Sequence, residues 1–113
     1  LGRKRVVFAF YDEEVEKLKK HYEIHERQLG EDFEYHQIVH LEEVMELMED
    51  NRFRDVFISS VKVFDDLHDF WWFSEVVIGN GANYYIEKEG INSEEMYPVG
   101  AILAKIGNCF NKY

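Results

Sequence analysis

The chain has 113 residues, 46% hydrophobic and 16% aromatic, which is enough apolar material for one packed domain and too much for a disordered segment. Its formal charge of -10, from 23 acidic against 13 basic residues, opposes the phosphate neutralisation on which DNA binding rests. No apolar run approaches the roughly 18 to 20 residues of a membrane span, and the single cysteine, Cys109, excludes an intrachain disulfide and fits a reducing cytoplasm.

After the basic lead Arg3-Lys4-Arg5, the continuous apolar run Val6-Val7-Phe8-Ala9-Phe10 predicts a strand buried on both faces. Asp12 is placed to cap the helix that follows, with Glu13 and Glu14 in its first turn. Val15, Leu18, Tyr22, His25 and Leu29 then recur at helical steps as one apolar stripe, and Gly30 closes the helix. A second strand is expected within Asp32 to Val39. Leu41, Val44, Met45, Leu47 and Met48 form a short amphipathic helix whose other face carries Glu42, Glu43, Glu46 and Glu49. Asp55 to Ser59 reads as a third buried strand, followed by a helix from about Asp65 to Ile78 that ends at Gly79-Asn80-Gly81. A fourth strand, a polar loop Glu89-Gly90-Ile91-Asn92-Ser93 and a last helix from Tyr97 to about Cys109 complete the set. Strands alternating with helices imply an α/β fold: a single three-layer domain with a mostly parallel four-stranded sheet.

The aromatic run Phe70-Trp71-Trp72-Phe73 covers most of a helix circumference, at about 100° per residue. Leu67, Phe70, Trp71, Ser74 and Ile78 form the stripe expected to face the sheet. Trp72, Phe73, Val76 and Val77 then lie outside it. A helix apolar nearly all round is buried on two sides. The second side is either covered by the last helix within the monomer or is an interface with another subunit.

Candidate metal and cofactor patterns are weak. His21 and His25 stand four apart on one helix face, a spacing that can bind zinc, but the His-Glu-x-x-His order is absent. His36 and His40 share the spacing on an expected strand, where it spans roughly 13 Å. The acids of the short helix read as a solvated face before they read as a cation site. Gly79-Asn80-Gly81 precedes a strand instead of following one and is no dinucleotide fingerprint. Cys109 has no recognisable catalytic partner. No cofactor and no metal are therefore expected.

The order of elements carries a resemblance. The loop Glu89-Gly90-Ile91-Asn92-Ser93, the helix start Tyr97-Pro98-Val99-Gly100, and the stretches Leu47 to Ile58 and Ser60 to Leu67 resemble, in order, the catalytic domain of resolvase/invertase-type serine recombinases. That resemblance implies a resolvase-like fold and a last helix that dimerises. It also marks four active-site positions, and all four depart from the family. Where the first strand of the family ends "YARVS", this chain has Phe10 at the arginine and Asp12 at the nucleophilic serine. Val63 and Asp66 stand where the family has further arginines. No serine or threonine occurs in the first 50 residues. Phosphoryl transfer needs cationic groups on the transferring phosphate, so standard recombinase catalysis is not expected.

The resemblance therefore implies a catalytically inactive recombinase-like protein acting through protein contacts, in the regulation of recombination or in a mobile element or phage. Two alternatives stay open: the N-terminal domain of a site-specific recombinase with displaced chemistry, and an acidic decoy that imitates DNA. The expected partner is a second copy or another protein, with no membrane association. Its interface is expected to comprise Trp72, Phe73 and Val76 with Val99, Ile102, Leu103, Ile106 and Phe110 of the last helix.

Overall fold

The computed structural model describes residues 4–10, 15–29, 33–49 and 52–94. Strand β1 (Lys4–Phe10) leads to helix α1 (Val15–Leu29), strand β2 (Phe33–Ile38), helix α2 (Glu43–Met48) and strand β3 (Phe53–Ile58). A 3-10 turn (Val61–Val63), helix α3 (Leu67–Gly79) and strands β4 (Asn83–Ile86) and β5 (Ile91–Asn92) follow. The sheet has five strands in the order β2-β1-β3-β4-β5. The first four run parallel, and β5 pairs antiparallel with β4.

The apolar run of β1 sits near the middle of the sheet because it has core on both sides. Val6, Phe8 and Phe10 point into the larger core, where Val44 and Met48 of α2 and Phe70, Phe73 and Val77 of α3 meet Val56, Ile58, Tyr84 and Ile86 of the sheet. Val7 points the other way and packs with Tyr22 of α1 and Phe33. Helices thus cover both faces, as the alternation of strands and helices predicts.

Two expectations are corrected. The sheet is mixed and five-stranded, because the segment read as a polar loop turns back at Gly90, whose φ of 65 suits glycine, and pairs Ile91 with Ile86. Ser93 closes that pairing: its amide donates to the Tyr84 carbonyl at 3.0 Å, and its buried hydroxyl accepts from the Tyr84 amide at 2.9 Å. The facing of α3 is also corrected. Phe73 is 0% exposed and Val76 is buried, whereas Trp71, expected against the sheet, is 48% exposed. Phe73 lies 5.1 Å from the Phe64 ring and 5.6 Å from that of Tyr84, so it belongs to the core and not to an interface. Trp71 turns outward and donates its indole N–H to Glu75 at 2.9 Å.

The segment expected to form the last helix, with Val99, Ile102, Leu103, Ile106, Cys109 and Phe110, lies outside the described residues, as do Asp12 and Gly30. Among the described residues no helix is long and apolar enough to cross a membrane.

Candidate functional site

In open parallel sheets, ligand crevices form outside the carboxyl ends of the strands, where successive connections leave in opposite directions. Here β1 lies between β2 and β3, so the switch point falls at its carboxyl end. A crevice of about 270 Å³ opens there. Its apolar lining is Phe10 at the end of β1, Val39 and Leu41 after β2, and Val63 and Phe64 after β3; its polar lining is His40, Glu42, Asp65 and Asp69. A second hollow of about 220 Å³ shares Leu41, Glu42 and Asp69 and adds His68 and Trp72. The shared residues join the two into one groove running past the start of α3.

The groove walls are held by the chain's own carboxylates. Glu43 accepts from the amides of Val39 at 2.8 Å and His40 at 2.6 Å, which fixes the bend between β2 and α2. Those two backbone hydrogen bonds, His40 first, hold the Glu43 carboxyl below its ordinary value. After β3, Glu89 accepts from the Ser60 hydroxyl at 2.9 Å and the Val61 amide at 3.0 Å, tying the 3-10 turn to the β4–β5 turn. Asp66 caps α3 by accepting from the Asp69 amide at 2.9 Å. The Phe10 and Phe64 rings meet edge to face at 5.6 Å on the floor.

Three backbone amides of residues that line the crevice, those of Val39, His40 and Asp69, therefore already donate to carboxylates of this chain, as does that of Val61, two residues before Val63. Amides at such positions are the usual receptors for phosphate. Here the anion is built in. The residual field is negative: Glu42, Asp65 and Asp69 line the groove, Asp66 stands beside them, and no Lys or Arg lines it among the described residues. Burial, followed by the charges of Asp66 and Asp65, raises the Asp69 carboxyl above its ordinary value. Donor atoms of Asp66, His68 and Asp69 lie within 4.8 Å of one another. One Asp66 oxygen is committed to the helix cap, and all three residues crowd a single helix end.

Three of the four positions marked by the resemblance come together here. Phe10 and Val63 line the crevice, and Asp66 adjoins it; Asp12 lies outside the described residues. Trp72, expected at an interface, is partly buried and lines the second hollow. Of the second histidine pair, His36 meets Glu34 at 3.2 Å while His40 lines the crevice; of the first, His21 meets Glu87. The side chain of His25 lies outside the described residues. Of the acids on α2, Glu43 is taken up by backbone amides, while Glu42, Glu46 and Glu49 are exposed.

A separate hollow of about 310 Å³ on the α1 side is lined by Lys17, Leu18, His21, Ser59, Glu87 and Lys88. Glu87 anchors it, accepting from the Tyr22 hydroxyl at 2.7 Å as well as pairing with His21. Sequence reasoning missed Asp65, Asp69 and Glu42 as lining residues, and also the Ser59 grouping. The one signal for the former was the acid run Asp65-Asp66 with Asp69 at a helix start.

The fold and crevice define an α/β domain with an acidic, aromatic-floored groove at its switch point. Comparison with family models, with curated proteins and with solved structures gives no significant match for the chain.

Proposed function

We propose that this domain is a recombinase-like protein without strand-transfer chemistry, working through protein contacts in the regulation of DNA recombination or in a mobile element or phage. One observation carries the reading: at the crevice that holds the marked positions Phe10, Val63 and Asp66, the anion-receiving amides are already occupied by carboxylates. A DNA phosphate entering there meets Glu42, Asp65 and Asp69 without a cation to receive it. Two of the serines are unsuited to attack, since Ser74 and Ser93 are buried and hydrogen-bonded in the core.

A second reading, a recombinase with displaced chemistry, draws on the α1-side hollow, where Ser59 shares a cavity with Lys17, His21 and Lys88. Glu87 in the same hollow counts against it, because its carboxylate repels the phosphate those lysines would hold. One experiment separates the two. Incubation with supercoiled plasmid should yield neither nicks nor a detergent-stable protein–DNA adduct, and duplex DNA should show no binding at physiological salt. A covalent adduct overturns the first reading, and mapping it to Ser59 with loss in Ser59→Ala establishes the second.

A further inference from the structure

We infer that the switch-point groove docks a basic segment of a partner protein, one in which a Lys or Arg side chain stands next to an apolar one. The inference rests on the reading that the domain acts through protein contacts and gives that contact a place and a chemistry.

Charge complementarity selects the occupant. Glu42, Asp65 and Asp69 line the groove and Asp66 stands beside them, with no lining cation among the described residues. The repulsion that Asp65 and Asp66 exert on Asp69 is relieved when a positive group enters. Burying that group in a purely polar site would favour a hydrated metal ion, but the floor is Phe10 and Phe64, both buried, flanked by Leu41 and Val63. Such a lining gives a hydrated ion nothing, while the part-exposed Leu41 and Val63 give an aliphatic or aromatic side chain dispersion and area. Val39, 57% exposed at the rim, adds apolar surface that a partner would cover. Trp72 walls the far hollow, where an indole face attracts a guanidinium or ammonium. The two hollows, of about 270 and 220 Å³, have room for a few side chains and not for a folded element. Their walls are already fixed by Glu43, Glu89 and Asp66, so docking orders little of this chain.

The test uses an eight-residue peptide of alternating leucine and arginine, blocked at both ends, titrated into isotopically labelled protein and followed by amide NMR. Saturable shifts should concentrate at Leu41, Val63 to Asp69 and the Trp72 indole. The double variant Asp65→Asn/Asp69→Asn should weaken binding by about tenfold, the loss of two exposed ion pairs. Its control, Glu46→Gln/Glu49→Gln, removes the same charge from an exposed face and should stay within about twofold. Neither change touches the Asp66 cap, and dispersed spectra report that each variant is folded. The inference is overturned by equal weakening in both variants, by shifts centred elsewhere, or by equal binding of a leucine–glutamate peptide. It is also overturned if spermidine or Mg²⁺ saturates the same amides at lower concentration, which makes the groove a free-cation site. Failure here with the plasmid untouched sinks this inference alone. Plasmid cleavage sinks the broader reading while leaving the peptide map to stand by itself.

Discussion

Replacing Phe73 with alanine removes a ring that is 0% exposed and packed at 5.1 Å and 5.6 Å from Phe64 and Tyr84. A buried aromatic of this kind takes about 150 to 250 Å² out of water, worth about 4 to 6 kcal/mol at ~25 cal/mol per Å². Alanine keeps part of that and leaves a cavity, so the expected cost is about 3 to 5 kcal/mol. In a domain of this size each kcal/mol lowers the melting temperature by about 4 °C. The variant should therefore melt roughly 12 to 20 °C lower. Trp71→Ala is the comparison. Trp71 is 48% exposed, its hydrogen bond to Glu75 is at the surface, and alanine is the better helix former, so the cost stays below about 1 kcal/mol. Urea unfolding followed by far-ultraviolet circular dichroism measures both at once. The midpoint of the Phe73 variant should fall steeply with an unchanged slope, and that of the Trp71 variant should barely move. A larger loss for Trp71→Ala would refute the facing of α3. So would a Phe73 variant of normal stability whose only defect is in self-association.

Two further outcomes follow from the same packing. The Ser74 and Tyr84 hydroxyls meet at 2.9 Å in the core, and burial pushes the Tyr84 phenol up to about 12, so this bond stays neutral across the working range. Tyr84→Phe should cost about 1 to 3 kcal/mol by stranding the Ser74 hydroxyl, and adding Ser74→Ala should recover part of it in a double-mutant cycle; strict additivity would mean the bond is absent. Asp69 has a carboxyl raised above its ordinary 3.8 by burial and by Asp66 and Asp65. The folded state therefore holds that proton more tightly, and ionisation at Asp69 opposes folding as pH climbs from about 3.8 through the raised folded value. Asp69→Asn should melt higher than the parent at pH 7 and equal it near pH 3, whereas a stabilisation independent of pH would point to a cause other than this charge.

The sheet was legible where burial leaves an unbroken pattern. Val6 to Phe10 announces itself because both faces of β1 are covered. The helix over Glu43–Met48 shows because its opposite face is acidic. β5 does not show, since two residues cannot display an alternation and the Gly90 turn looks like any polar loop. The facing of α3 was illegible for a different reason. A helix apolar nearly all round has no preferred stripe, and the choice is made by partners distant in sequence, with Phe73 seated between Phe64 and Tyr84. The groove was hidden in the same way. Glu42 follows β2, Asp65 and Asp69 follow β3, and only the parallel crossovers through β1 bring them together. The positions Phe10, Val63 and Asp66 could be singled out beforehand only by resemblance, because nothing in their spacing links them.

The charge of the groove runs against what its position would otherwise produce. At the carboxyl edge of parallel strands, free amides of tight bends and the positive end of a following helix favour anions. In this chain each of those features has been given a carboxylate: Glu43 on the bend after β2, Glu89 on the turn after β3, and Asp66 on the first turn of α3. These three stabilise the loops that a phosphate would otherwise order. Of the acids left over, Asp69 has a backbone hydrogen bond from Asp65 and the opposing charge of His68 beside it, but burial and the charges of Asp66 and Asp65 outweigh both. Crowding Asp69 against Asp65 and Asp66 then costs the free protein energy that a cation from outside would lower. Neutralising the three structural carboxylates should loosen the fold, and neutralising Asp65 and Asp69 should leave it intact or firmer. If the two sets behave alike in unfolding experiments, the separation between carboxylates that build the groove and carboxylates that await a partner does not hold.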